Sequence, residues 1–150
     1  MNIRVMVDMS VTLLHHGHIR LLRKAAKYGE VVVGLSTDQD IKKYKGHTPL
    51  LTWGFRKEIM ESIRYVTEVV SVPYIITEAV LDKHGVQFLV HGDDNSNTIS
   101  EDRLIILPRT PAISSSMLLE YNRRINIIQR TMDSDFSSSL LTQSSNLEKC

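Results

Sequence analysis

The sequence predicts an α/β domain, doubly wound around a parallel sheet of five strands. Two observations carry that prediction. Short, mostly apolar runs recur along the chain without polar alternation, as strands covered on both faces do. Segments of helical period separate them, so strand and helix alternate as in doubly wound folds.

The first run is Ile3 to Val7, ended by Asp8, and the second is Glu30 to Ser36, which contains Val31-Val32-Val33-Gly34-Leu35. Between them Ile19, Leu22 and Ala26 repeat at helical spacing, with Arg20, Arg23, Lys24 and Lys27 on the other side and Gly29 as a stop. This is a strand–helix–strand unit, and its crossover is expected to be right-handed. Asp38 to Tyr44 reads as a short polar helix. Thr52 to Ile63 reads as a longer one, with Phe55, Ile59, Met60 and Ile63 as its apolar stripe. Glu68 to Val72 is a strand ended by Pro73, and Glu78 to His84 a helix stopped by Gly85. Phe88 to His91 is the fourth strand, followed by a polar loop from Gly92 to Asp102. Leu104 to Leu107 is the fifth, ended by Pro108, and Ser114 opens a final helix running to about Arg124 or beyond. From Thr131 to Cys150 the chain holds six serines and no clear period, which reads as a tail or linker. The expected division is therefore a domain over residues 1–125 and a Ser-rich tail or linker over 126–150, of the kind that leads to a further domain.

Composition agrees with one globular domain. The 150 residues are 42% hydrophobic and 23% charged, and 18 Lys and Arg stand against 17 Asp and Glu, for a net charge of +1. That balance argues against a nucleic-acid-coating or polybasic membrane protein. A single cysteine, Cys150, excludes a disulfide scaffold or a Cys-based zinc site and is expected to be inert. With no signal-peptide pattern at the N-terminus and no long apolar run, a cytoplasmic location is expected.

The strongest local signal is Leu13-Leu14-His15-His16-Gly17-His18-Ile19, between the first strand and the first helix. Doubly wound sheets bind ligands at that end of the strands, and a helix N-terminus favours phosphate. Gly17 lets a phosphate approach the backbone. His15 and His18, three apart, can lie on one face of the opening turn and donate to phosphate oxygens. Taken alone, the same residues would also suit a solvated turn or a metal site, although no nearby Cys or carboxylate completes a ligand set.

The pattern His15-x-Gly17-His18 after the first strand resembles the signature of the HxGH nucleotidyltransferase superfamily, whose Rossmann-like fold matches the one predicted. Three further segments resemble that family in order and spacing: Arg64-Tyr65-Val66-Thr67-Glu68-Val69, His91-Gly92-Asp93-Asp94, and Arg109-Thr110-Pro111-Ala112-Ile113-Ser114-Ser115. The resemblance covers about residues 3 to 120, and glycerol-3-phosphate cytidylyltransferase-like proteins are the nearest subgroup. Met9-Ser10 and the His91-Gly92-Asp93-Asp94 segment are also similar to cytidylyltransferase domains fused to phosphoenolpyruvate mutase, which serve phosphonate biosynthesis of the fosfomycin type. The sequence departs from the family at Thr12 and Thr67, each in place of an Asp, at Ala112 in place of a Gly, and at Asn95 in place of a Trp.

The resemblance implies transfer of CMP from CTP to a small phosphonate such as 2-hydroxyethylphosphonate, with release of pyrophosphate. Glycerol 3-phosphate is the alternative acceptor. An adenylyltransferase, or a nucleotide-binding module without turnover, is the alternative activity. It assigns His15, His18 and Arg109 to the triphosphate, and Ser10, Gly17, Asp94, Thr110, Ser114 and Ser115 to the nucleotide. Lys45 and Arg64 are assigned to the acceptor's anionic group. It also implies Mg²⁺ with CTP, through ligands it does not name, and a homodimer. In isolation Ser114 to Ser116 could be an N-cap cluster, Asp93-Asp94 a turn, Arg64 half of an ion pair, and Lys42, Lys43 and Lys45 one solvated helix face.

Overall fold

The computed structural model describes the backbone of residues 1–147 and the side chains of residues 1–134. Five strands, β1 (Arg4–Met9), β2 (Glu30–Ser36), β3 (Glu68–Val72), β4 (Phe88–Gly92) and β5 (Leu104–Leu107), form one parallel sheet in the order β3-β2-β1-β4-β5. The helices are α1 (His16–Ala25), α2 (Asp38–Lys45), α3 (Trp53–Glu61), α4 (Glu78–Lys83) and α5 (Ser115–Leu147), with a 3₁₀ turn at Glu101–Arg103. The predicted five-stranded doubly wound sheet is the fold observed.

The pleat explains why the strand runs are continuously apolar. On one face Val5, Val7, Val31, Val33 and Leu35 pack with Leu22 and Ala25 of α1 and Met60 of α3. On the other, Met6, Val32 and Leu89 pack with Leu81 of α4, Ile76 and Val86. Both faces are buried, so alternate residues are equally apolar. Register pairs Val7 with Val33 on one side and with Val90 on the other.

Two readings need correction. The stripe assigned to α3 included Phe55, but Phe55 is 60% exposed, and its neighbour Arg56 is 1% exposed. The helix is rotated so that a charged residue faces inward, because carbonyls converge on it there. The chain from Thr131 was read as an unperiodic tail, but α5 continues to Leu147. No Gly or Pro falls between Ser115 and Leu147, and serine lowers helix propensity by only about half a kcal/mol per residue. The expected division at residue 125 thus falls inside α5, while residues 1–115 form a compact unit of their own. Cys150 lies outside the described residues.

Trp53 and Phe88 pack against the core, and the Trp53 indole N–H donates to the Leu35 carbonyl at 3.1 Å. No helix among the described residues is long and apolar enough to cross a membrane.

Candidate active site

β1 and β4 are neighbours, but the chain leaves β1 toward β2 and leaves β4 toward β5. Their carboxyl ends therefore flank the crevice where open α/β sheets bind ligands. His15 lies at the end of the β1–α1 loop as the N-cap of α1, extended at φ −145 and ψ 173. Its Nδ1 accepts the Gly17 backbone N–H at 3.1 Å, and the His18 Nδ1 accepts the His15 backbone N–H at 3.2 Å. The two imidazoles thus form a reciprocal capping box, a motif more often built from Ser or Thr with Glu or Gln.

Chemical consequences follow from that box. With Nδ1 of each ring committed as an acceptor, each neutral ring carries its proton on Nε2, so two N–H donors remain for a ligand. The rings lie one over the other, with centroids 3.9 Å apart and tilted by 31°. Burial, and then the neighbouring His15 and Lys45, push His18 down to about 3. Burial, and then His16 and Arg109, also lower His15. Near neutral pH the pair is therefore two uncharged donors. Gly17 is required by this geometry, because a Cβ there would stand 2.8 Å from His15 Cε1 and 2.9 Å from its Nδ1.

Positive charge comes from two other elements. Lys45, the last residue of α2, is half-buried; burial and Arg56 lower its ammonium pKa, and Asp94 opposes that shift. Its charge acts on His18, and Asp94 acts on it, so the three groups are electrostatic neighbours. Arg109, after β5, holds Asp94 in an ion pair of 3.1 Å at the exposed rim. Gly92 permits that approach, since a Cβ there would stand 2.9 Å from Asp94 Oδ1 and 3.0 Å from Arg109 Cγ.

The remaining expected residues are placed differently. Ser10 is buried, and its carbonyl accepts from Arg56 Nη1 at 2.6 Å. Thr110 and Ser114 are half-buried in the segment between β5 and α5. Ser115 is buried and donates its hydroxyl to the Leu13 carbonyl at 2.6 Å, tying that segment to the β1–α1 loop. Thr12 is also buried. Arg64 is exposed, donates to the Tyr65 hydroxyl at 2.8 Å and lies over the Tyr65 ring at 5.0 Å. Among the described contacts none joins Arg64 to the histidines.

Sequence reasoning missed a second cluster at the same strand ends. Asp8, the last polar residue of β1, lies 3.5 Å from His91 Nε2, and its Oδ2 accepts from Asn97 Nδ2 at 3.2 Å. Its Oδ1 is buried without a hydrogen-bond partner. Burial raises the Asp8 carboxyl pKa, and His91 and Asn97 oppose that rise. Asn97 also accepts from the Ile76 backbone N–H at 2.7 Å, so the loop after β4 folds back over β1. Tyr74 feels both Asp8 and Asp94, and its ring stacks on Tyr44 at 4.6 Å. Asp8 was visible only as the polar end of a strand and His91 only as the first residue of a four-residue segment.

The parallel α/β sheet thus carries a histidine capping box at its switch point. The chain belongs to the cytidylyltransferase-like family, whose pattern matches residues 12–143. It is 39% identical over 99 residues to the ethanolamine-phosphate cytidylyltransferase of Mus musculus, covering 65% of this chain and 24% of that one. It is 34% identical over 115 residues to the glycerol-3-phosphate cytidylyltransferase of Bacillus subtilis, covering 72% of this chain and 88% of that one. The chain thus spans about a quarter of the ethanolamine-phosphate relative. A lipopolysaccharide core biosynthesis protein from Thermoplasma volcanium shares the fold, with a TM-score of 0.63, 18% identity, and coverage of 73% of this chain and 99% of that one.

Proposed function

We propose that this chain transfers CMP from CTP to a small acceptor with a phosphonate or phosphate head, 2-hydroxyethylphosphonate being the acceptor to which the sequence resemblance points. The observation that carries this reading is the neutral His15–His18 pair, with both Nε2–H groups free of the capping box and Lys45 and Arg109 beside it. An anionic oxygen of the acceptor attacks the α-phosphorus, a new P–O bond forms, the α–β bridging P–O bond breaks, and pyrophosphate leaves. That oxygen is already ionised, so no general base is needed. Catalysis rests on in-line positioning and on charge stabilisation.

His15 and His18 donate to the triphosphate oxygens. Arg109 exchanges Asp94 for phosphate; its fork geometry suits two oxygens, and an exposed ion pair of this kind costs little to open. Lys45 and Arg64 hold the acceptor's head, and Ser10, Gly17, Thr110, Ser114 and Ser115 border the nucleotide. The Ser115 hydroxyl proton already goes to Leu13, so Ser115 contributes through its backbone. Mg²⁺ bound mainly by phosphate oxygens needs at most one or two carboxylates, and Asp94 is the one at the rim; such an ion supplies charge neutralisation to the triphosphate. Among the described residues no group of three His, Cys, Asp or Glu is arranged to hold a metal ion by itself. A homodimer, and fusion to a mutase domain, belong to the same proposal.

A second reading concerns the far end of the acceptor. Asp8, Asp94 and Tyr74 make that end of the crevice acidic and aromatic, which suits an amine. Ethanolamine phosphate or 2-aminoethylphosphonate would then be preferred over the hydroxyl compounds. Pyrophosphate release with Mg²⁺ and CTP or ATP, against these three acceptors and glycerol 3-phosphate, tests both readings. Turnover with CTP and 2-hydroxyethylphosphonate supports the first, and preference for the amines supports the second. Turnover with ATP alone, or with none of the pairs, overturns both.

Two substitutions sharpen the assignment. Asp8→Asn should lower the ratio of kcat/KM for the amine over the hydroxyl acceptor several-fold; an unchanged ratio removes Asp8 from acceptor recognition. Arg64→Ala should raise the acceptor KM and leave the CTP KM unchanged. If neither KM moves, Arg64 is confined to its stack on Tyr65.

A further inference from the structure

We propose that Arg56 is a positioning residue that locks the β1–α1 turn to the start of α2, and so keeps the His15–His18 pair and Lys45 facing one ligand. The inference rests on the nucleotidyl-transfer reading of the crevice, because it concerns groups assigned to the nucleotide and acceptor. Arg56 is the largest fully buried side chain among the described residues, at 1% exposure. Its guanidinium reaches four acceptors from four segments: Nη1 donates to Ser10 O at 2.6 Å, Nε to Leu51 O at 3.2 Å, and Nη2 to Ser36 O at 3.0 Å and Asp38 Oδ1 at 2.6 Å. Three are carbonyls, so a buried cation is held mainly by backbone dipoles, with Asp38 as its counter-charge.

The position of Ser10 gives this clamp its meaning. The next residue, Val11, adopts φ +48 while buried at 5% exposure. A β-branched residue is sterically disfavoured in the left-handed region, so the turn does not rest on local preference. The Arg56 donor fixes the carbonyl just before that turn, and Thr12 to His15 follow directly from it. On its other side Arg56 holds Ser36, the last residue of β2, and Asp38, the first residue of α2. Asp38 Oδ2 also accepts the Trp53 backbone N–H at 3.1 Å, which joins the start of α3 to the start of α2. Lys45 closes α2, and the Arg56 charge acts on it. One guanidinium thus spans both halves of the site without reaching a ligand. Lysine cannot copy it, because a single ammonium cannot present the planar fork that meets these acceptors.

The test uses the full chain and three readouts: thermal unfolding, imidazole ¹⁵N NMR titration of His18, and calorimetric CTP binding. Arg56→Lys should fold with a lower Tm, weaken CTP binding tenfold or more, and move the His18 pKa upward from about 3 by at least one unit as the turn loosens and His18 gains solvent. A lower Tm alone, with His18 titration and CTP affinity unchanged in the folded variant, overturns the proposal. If Arg56→Lys does not fold, Asp38→Asn carries the test, since it weakens the Asp38 contacts to Arg56 and to the Trp53 N–H and leaves the three carbonyl contacts of Arg56 in place. A threefold or greater loss of CTP affinity there supports the clamp, and unchanged affinity overturns it. None of the three readouts needs an acceptor or turnover, so the clamp can fail while the enzyme reading stands, and the reverse.

Discussion

His18→Ala is expected to lower kcat about 100-fold or more while the chain stays folded, the usual scale for loss of a preorganised donor. The substitution removes the Nε2–H proposed to meet the triphosphate. It also removes the arm of the capping box that accepts the His15 backbone N–H. Loss of that cap should cost about 1 kcal/mol, which lowers Tm by several degrees in a domain of this size. Steady-state kinetics separate the two effects, because a cap defect alone does not reduce kcat in enzyme that remains folded. Near-normal kcat in His18→Ala would refute the proposed role. A pH comparison adds an independent check. Folding holds His18 near 3, well below its unfolded value of 6.5. The unfolded chain therefore takes up this proton first as the solution is acidified, and wild-type stability falls between about pH 6.5 and 3. The stability advantage of wild type over His18→Ala should vanish and then reverse as the pH falls through that window, as followed by denaturant unfolding at several pH values. A difference that does not change with pH would mean that His18 is not held neutral by the fold.

The sheet was legible because both its faces are covered. Val31-Val32-Val33 and Ile3 to Val7 read as strands without any tertiary knowledge, and Gly85, at φ +62, directly follows the C-cap of α4, whereas α1 already ends at Ala25, before Gly29. The His15-x-Gly17-His18 segment stood out because it opens a helix after a strand and because three further segments follow it in family-like order and spacing. Arg56 was not legible. It follows Phe55 in a helix whose period suggested an apolar stripe, and nothing local states that carbonyls from Ser10, Leu51 and Ser36 converge on it. The Ser10 and Ser36 carbonyls are distant from Arg56 in sequence, and only the folded sheet brings those strand ends to it. The Asp8, His91 and Asn97 cluster was hidden for the same reason: its members lie on β1, on β4 and in the loop beyond, and only the β1–β4 pairing brings them together. Arg64 shows the converse. Its sequence segment marks it as a functional residue, yet in a single chain it lies on Tyr65 at the surface. Segment resemblance identifies the residue type and position, but the direction of a long exposed side chain depends on what it meets.

Gly17→Ala is expected to reduce kcat/KM for CTP about 100-fold by displacing a neighbour, on the usual scale for a misplaced catalytic group. The added methyl would stand 2.8 Å from His15 Cε1 and 3.2 Å from Ile113 Cγ2. Neither helix geometry nor φ forbids alanine at this position, so the cost comes from contact alone. The His15 ring is the softer neighbour, and it must rotate away from the Gly17 N–H that fixes its tautomer. Rotation breaks the cap, re-aims Nε2–H, and separates the ring from His18, which it now faces at 3.9 Å. The fold should survive, because the lost cap is worth about 1 kcal/mol and alanine is the better helix former by a similar amount. Gly17→Ala should therefore show near-wild-type Tm with a large kinetic defect, whereas His18→Ala should lose both. In the ¹⁵N spectrum the His15 Nδ1 resonance should lose its hydrogen-bonded shift in Gly17→Ala. If it keeps that shift, and kcat/KM stays within a few-fold of wild type, the close approach at Gly17 does not govern where His15 points, and the capping box would lose its place in the mechanism.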